Sequence, residues 1–203
     1  MSSDSFYNPA IPRRRSIRLS DYDYSLAGLY FVTICVKDRQ CLFGHIEQGQ
    51  MVLNEAGVIA HRIWFSLPDR FQTISLDAFI VMPNHIHGIV VLNEVVTENP
   101  VGAGLAPAQS DWVLPVSKPE HTVGNDRAGL APAPTLSAVI GAYKSLVSKE
   151  CLTIFKSRNE NMGKLWQRNY YEHIIRNAHS HQQIAEYIST NPLRWGQDTL
   201  YAL

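Results

Sequence analysis

The 203-residue chain lacks the apolar segments that membrane-spanning and exported proteins carry. No apolar run approaches the roughly 20 residues that a membrane-spanning helix needs, and the start, MSSDSFYNPAIPRRR, contains no apolar signal-peptide segment. The three cysteines, Cys35, Cys41 and Cys151, show neither a disulfide-dense pattern nor the spacing of a structural zinc site. We therefore expect a cytoplasmic protein with no membrane partner, nucleoid-associated if it binds DNA.

The chain also has no excess of charge of either sign, because 18 basic residues balance 18 acidic ones. This balance argues against histone-like binding of nucleic acid by bulk charge. The basic residues are unevenly distributed, with none from 71 to 117, four arginines near the start, and seven basic against three acidic residues from 144 to 176. Aromatic residues accompany the second cluster in KLWQRNYY (164 to 171). The combination suits phosphate binding and base stacking, and solvated surface charge explains it equally well.

The order of strand and helix patterns predicts an α+β fold. β-branched and aromatic residues indicate strands at residues 28 to 37, 74 to 82, 85 to 92 and 165 to 176. Apolar residues recur at helical spacing at 54 to 71, 135 to 155 and 179 to 192, and the stretch before the first helix is interpreted as a glycine-containing turn. The sum is a ferredoxin-like βαββαβ antiparallel sheet with an added C-terminal helix. Two helices cover one face of such a sheet and leave the other face free for function.

The segment from 96 to 134 differs in composition from the rest of the chain. It is rich in Gly, Ala and Pro, and it contains the near-repeats AGLAPAQ (103 to 109) and AGLAPAP (128 to 134). A segment so poor in large apolar residues cannot fill a core. We expect a flexible insertion there and a flexible basic arm at residues 1 to 16.

Two histidines, His85 and His87, interrupt the apolar run VMPNHIHGIVVL (81 to 92). Residues two apart in a strand point to the same face, so the two imidazoles form a pair. A lone buried histidine is most often a hydrogen-bonded core residue, whereas a same-face pair also suits a divalent metal that needs a third ligand. A histidine-triad nucleotide hydrolase would carry another histidine at position 89, which is isoleucine here.

The last predicted helix offers a third ligand. Tyr187 and Asn191 are four residues apart, which places a phenol and an amide oxygen on one helical face. A helix laid over the free face of the sheet could present both to the histidine pair. The alternative, which the spacing alone favours, is that Tyr187 packs in the core and Asn191 ends the helix before Pro192.

Four ordered motifs resemble those of the REP-associated tyrosine transposases, relatives of the IS200-like transposases in the HUH superfamily of single-strand endonucleases. The motifs are YFVTICVKDRQCLFG (30 to 44), VMPNHIHGIV (81 to 90), LWQRNYYEHIIRN (165 to 177) and AEYISTNP (185 to 192). The resemblance covers about residues 17 to 95 and 135 to 198. We expect these parts to form the core of one domain that spans residues 1 to 203.

The resemblance implies a metal-dependent DNA endonuclease and strand transferase. His85 and His87 match the metal-binding pair, Asn191 the third metal contact, and Tyr187 the nucleophile. A tyrosine with an ordinary pKa of about 10 is a weak nucleophile at neutral pH, so magnesium or manganese would activate the scissile phosphate. The implied product is a 5′-phosphotyrosine link, and the implied partners are single-stranded hairpins of the repetitive extragenic palindrome type. Related proteins act as monomers or homodimers.

Two tyrosines in the predicted fourth strand, Tyr170 and Tyr171, are rival nucleophiles. They rank below Tyr187 because the family motif places the nucleophile on the following helix, and base stacking suits them better. The candidate DNA contacts combine these two with basic residues and one histidine: Arg13, Arg14, Arg15, Arg18, Lys144, Lys164, Arg168, Tyr170, Tyr171, His173 and Arg176. The alternative function is a non-catalytic DNA-hairpin-binding protein derived from a transposase.

Overall fold

The structure is a computed structural model, and it describes residues 26 to 94 and 134 to 201. The strands are β1 (Gly28–Cys35), β2 (Gly44–Glu47), β3 (Gln50–Leu53), β4 (Ile74–Met82), β5 (His85–Leu92) and β6 (Tyr171–Ile175). The α-helices are α1 (Glu55–Phe65), α2 (Leu67–Arg70), α3 (Leu136–Ser157) and α4 (Ala178–Thr190). Short 3-10 segments cover Lys37–Arg39 and Asn191–Gln197. The predicted arm and, except for its last residue, the predicted insertion lie outside the described residues.

Four of the strands form one antiparallel sheet in the order β4-β5-β1-β6. The helices α1 and α3 connect strands of this sheet, as in the ferredoxin-like arrangement. The predicted fold class is therefore confirmed. None of the described helices is long and apolar enough to span a membrane.

Three local predictions were wrong. The stretch interpreted as a turn contains a separate hairpin of β2 and β3, whose four-residue strands are too short to give a clear alternating pattern. Its two connecting residues, Gln48 and Gly49, both have positive φ, as the tightest hairpins require. The fourth strand begins at Tyr171, and Trp166 makes only an isolated bridge. The first helix divides into α1 and α2 around Ser66, just before Pro68.

The two faces of the sheet carry cores of different size. The larger core lies under α1 and α3, where Trp64 stacks on Phe79 and the hydroxyl of Tyr143 donates to the Ala60 carbonyl at 3.1 Å. The smaller core lies under α4 and contains Phe31, Ile89, Ile175 and Ile188. The face of the sheet that we predicted to be free of the first two helices is thus covered by α4, the helix that carries Tyr187.

Gly88 lies on β5 against the larger core, and its missing side chain makes room for Trp64. A Cβ there would lie 2.4 Å from Cζ2 of Trp64, a ring that is fully buried and stacked on Phe79 at 4.6 Å. We expect Gly88→Ala to lower the free energy of unfolding by about 1–3 kcal/mol, the usual cost of overpacking. Urea unfolding followed by tryptophan fluorescence measures this change.

The matched control for that substitution is Gly141→Ala in α3, where an added Cβ meets nothing within 4 Å. Alanine in an exposed helix interior should raise the free energy of unfolding by about 0.5–1 kcal/mol. Equal stability of the Gly88 and Gly141 variants would contradict the tight packing of β5 against Trp64.

Candidate functional site

The predicted histidine pair lies on the face of the sheet that α4 covers. Pairing of β1 with β5 sets Thr33 opposite His87, and pairing of β1 with β6 sets Tyr171 opposite Thr33. Cross-strand partners point to the same face, so these three side chains form a row across the sheet. His85 and His87 are 0% and 2% exposed. The register of three strands therefore gathers the site around two buried imidazoles.

Asn84 fixes the orientation of His85. Its amide nitrogen donates to the carbonyl oxygens of Arg39 at 3.1 Å and Leu200 at 2.8 Å, which leaves its oxygen to accept. That oxygen lies 2.8 Å from Nδ1 of His85, so Nδ1 carries the ring proton. Nε2 of His85 then presents a lone pair, which is the form that binds a metal.

His87 has its own orienting partner in Thr33, whose Oγ1 lies 2.8 Å from Nδ1. A hydroxyl can donate or accept, so it satisfies His87 in either tautomer and allows Nε2 to offer a lone pair as well. The two Nε2 atoms lie 3.0 Å apart, and their rings meet edge to face. Both imidazoles therefore direct a nitrogen toward the same point.

The helix α4 brings Tyr187 to this point within the same chain. Asn177 caps the start of the helix by accepting from the Ser180 amide, and Ile184 and Ile188 pack against the sheet. This packing places the hydroxyl of Tyr187 3.3 Å from Nε2 of His87. Tyr187 stays 39% exposed and lines an open cleft, so a ligand can contact it.

Asn191, one turn after Tyr187, is 2% exposed and lies beside Asp198 in the C-terminal tail, which we define as residues 198 to 201. Its amide nitrogen donates to Oδ2 of Asp198 at 3.1 Å, and that oxygen is 4.0 Å from Nε2 of His85. Donor atoms of Asp198 and the two histidines all lie within 4.8 Å of one another. The structure thus gathers the histidines, Tyr187 and Asn191 and adds Asp198.

The sequence interpretation missed Asp198 as well as the two residues that orient the histidines. Asp198 follows the 3-10 segment Asn191–Gln197. The periodicity of the sequence does not show where the chain lies in the fold after such a segment. Thr33 could be found only from strand register. Asn84 did have a signal, since it immediately precedes the histidine pair.

The electrostatics of the cluster keep its imidazoles neutral. Burial, helped by the positive charge of Arg39, lowers the pKa of His85 to about 3. Burial and the nearby His85 lower the pKa of His87 to about 3, against the opposing charge of Asp198. Burial, followed by the charge of Asp198, raises the pKa of the Tyr187 phenol, while the amide of Asn191 opposes this shift. The tyrosine therefore stays protonated unless positive charge is added.

A divalent cation fits these donors. Oδ1 of Asn191 is buried and has no hydrogen-bond partner among the described residues, which is a costly state for an amide oxygen. The nitrogen of the same amide donates to Asp198, whose carboxylate lies with the two neutral imidazole nitrogens in a group within 4.8 Å. Nitrogen and oxygen donors of this kind are common ligands of divalent cations. These four residues could hold such an ion.

A cleft of about 500 Å³ opens beside the cluster. Its lining includes His87, Tyr187, residues from β1, residues 167 and 169 to 171, and Thr199 and Leu200 of the C-terminal tail. Arg39 donates to the carbonyl of Thr199 at 3.1 Å and so ties the tail to the end of β1. The cluster is thus open to a ligand on the side where Tyr187 is exposed.

The remaining predicted DNA contacts lie in several environments. Tyr170 and Tyr171 line the cleft, and His173 lies exposed on the same face of the sheet, opposite Phe31. The ammonium of Lys144 donates to the carbonyl oxygens of residues 167 and 168 instead of pointing outward. Of the predicted basic contacts that the structure describes, Lys164, Arg168 and Arg176 are exposed. Four further arginines lie outside the described residues: Arg13, Arg14, Arg15 and Arg18.

Comparison with known proteins identifies one sequence relative and a structural one. No protein-family model matches the chain. An uncharacterized protein of Haemophilus influenzae is 40% identical over 196 residues, which cover 96% of this chain and 97% of that protein. The structure is similar to a REP-associated tyrosine transposase bound to a REP hairpin, with a TM-score of 0.52 and 18% identity over 89% of this chain and 76% of that one. The structural likeness establishes the fold and confirms that part of the resemblance.

Proposed function

Because the chain belongs to the same family as the Haemophilus influenzae protein and shares the fold of a REP-associated tyrosine transposase, we propose that it is a DNA transposase. It nicks and rejoins single-stranded DNA through a covalent link to Tyr187. The observation that supports this most directly is the hydroxyl of an exposed tyrosine 3.3 Å from Nε2 of His87, at the edge of a buried His-His-Asp cluster. This arrangement joins a nucleophile to a metal site.

The proposed roles follow from the donors at the site. His85, His87, Asp198 and Asn191 would hold magnesium or manganese. Such an ion, when bound, supplies positive charge that stabilises the developing charge of the reacting phosphate. The same charge would offset burial and the charge of Asp198, which raise the pKa of Tyr187. Asn84 and Thr33 keep the histidine rings oriented.

In the proposed step, Tyr187 replaces the 3′-oxygen of the neighbouring nucleotide on phosphorus. The bond between the tyrosine oxygen and phosphorus forms, and the bond between phosphorus and the 3′-oxygen breaks. Tyr187 loses one proton and the released 3′-hydroxyl gains one. Since the phosphotyrosine link conserves the energy of the phosphodiester, a 3′-hydroxyl from another strand can reverse the step without ATP.

The proposed substrate is a single strand that carries a hairpin. The structurally similar transposase is bound to a REP hairpin, and the cleft beside Tyr187 is open to a strand. The exposed residues Lys164, Arg168 and Arg176 would contact the backbone of the strand.

A label-transfer experiment tests the proposal. Oligonucleotides copied from palindromic repeats beside the gene are labelled at either end and incubated with the full chain and Mn²⁺, Mg²⁺ or EDTA. We expect the 3′-label to move to the protein on a denaturing gel, and the 5′-label to appear on a shorter free strand. Retention of both labels on intact DNA, with tight hairpin binding, would instead establish a non-catalytic hairpin-binding protein.

A further inference from the structure

The described residues that line the cleft beside Tyr187 are uncharged. None of them is Lys, Arg, Asp or Glu, and their polar side chains include the amides of Gln167 and Asn169. A phosphate is bound in proteins chiefly by cations and backbone amides. Amides and aromatic rings are instead the groups that recognise unpaired bases by their edges and faces. The composition of the cleft therefore suits a base better than a phosphate.

The segment that carries the two amides is fixed to the rest of the fold. The backbone N–H of Gln167 donates to the carbonyl of Cys35 at 2.9 Å, and the ammonium of Lys144 donates to the Gln167 carbonyl at 2.7 Å. The structure shows no side-chain hydrogen bond for Gln167 or Asn169 among the described residues. A fixed backbone with two available amides can bind a ligand without first rearranging.

Aromatic rings connect the cleft to the proposed nucleophile. The ring of Phe31 stacks on His87 at 5.4 Å and meets Tyr171 and Tyr187 edge to face at 6.2 and 6.3 Å. Tyr171 is 45% exposed and lines the cleft, so a ligand in the cleft can contact it. A base stacked on Tyr171 would therefore lie close to Phe31, whose ring contacts Tyr187.

We propose that this cleft is a nucleotide subsite that binds the unpaired base next to the phosphate attacked by Tyr187, with Gln167 and Asn169 as the residues that select the base. Its volume of about 500 Å³ lies in the range of small-ligand pockets and is sufficient for one nucleotide. The position of the phosphate rests on the proposed function. The choice of Gln167 and Asn169 as the residues that select the base does not rest on it, because that choice follows from the lining of the cleft.

The first experiment measures base preference in cleavage. A pool of hairpin-bearing strands, randomised at four positions on each side of the cut, is cleaved with Mn²⁺ and the products are sequenced. We expect a base preference at a position adjoining the cut that Gln167→Ala and Asn169→Ala reduce at least about threefold, while preferences elsewhere persist. The control Gln72→Ala, an exposed amide outside the cleft, should cleave as the wild type does. An unchanged preference in both cleft variants would overturn the proposal.

The second experiment uses binding alone and so separates the subsite from the proposed function. A single abasic position is moved along the same strand, and affinity is measured with the full-length Tyr187→Phe variant. One abasic position beside the hairpin should weaken binding about tenfold, as the loss of one stacked base does. Adding Tyr171→Ala should remove this difference and adding Tyr171→Phe should preserve it. No position-dependent loss, or a loss unaffected by Tyr171→Ala, would reject the subsite even if cleavage is observed.

Discussion

Tyr187→Phe should lower transfer of the 3′-label to the protein at least about a thousandfold, the scale on which loss of a covalent nucleophile acts. The substitution removes the oxygen that would bond to phosphorus but keeps the ring, which meets His87 and Phe31 at centroid distances of 5.2 and 6.3 Å. Hairpin affinity, measured by fluorescence anisotropy, should therefore stay within about twofold of the wild type, because the ring is retained and a single neutral hydrogen bond contributes little net free energy.

The rival tyrosines provide the control for that result. Tyr170→Phe and Tyr171→Phe keep their rings in the cleft and should still form the covalent product. A product that persists in Tyr187→Phe and disappears in either of these variants would move the nucleophile to β6 or the residue before it. The geometry favours Tyr187, because the structure gives its hydroxyl a position 3.3 Å from a histidine of the cluster.

Much of the arrangement around Tyr187 could be predicted from sequence because it depends on short periodicities. The two-residue period of a strand puts His85 and His87 on one face, and the four-residue spacing on α4 puts Tyr187 and Asn191 on one side of the helix. That α4 covers the histidines was a hypothesis based on the spacing of Tyr187 and Asn191, and the resemblance strengthened it. Its physical reason is the contact of Ile184 and Ile188 with the smaller core.

Other parts of the site depend on pairings that no local pattern encodes. Thr33 reaches His87 only because β1 and β5 pair in one register, in which the two residues are directly opposite. Asp198 reaches His85 because the chain turns back after α4, where Leu200 and Thr199 bind the side chains of Asn84 and Arg39. These are long-range contacts between a tail and the residues around β5. The periodicity of the sequence cannot predict such contacts.

Asp198→Asn should weaken Mn²⁺ binding at least about a hundredfold in calorimetric titration. The loss of a residue that only hydrogen-bonds to a metal ligand usually has a smaller effect. The substitution removes the carboxylate of the His-His-Asp cluster. It also affects Asn191, since the new amide nitrogen would face the nitrogen that now donates to Oδ2 of Asp198. Turning the Asn191 amide would relieve that conflict but would exchange the positions of its nitrogen and its buried oxygen.

We also expect Asp198→Asn to lose cleavage. A change in the ionisation of Tyr187 would not explain that loss. The charge of Asp198 raises the pKa of Tyr187, so removing it makes the phenol easier to ionise and, without a role for the metal, should favour attack. Joint loss of Mn²⁺ binding and cleavage therefore assigns Asp198 to the metal, and His85→Ala should show the same joint loss. The control Asp69→Asn removes an exposed carboxylate from α2 and should change neither measurement. Wild-type Mn²⁺ affinity in Asp198→Asn would exclude the carboxylate as a ligand and leave the two histidines and Asn191 as the metal site.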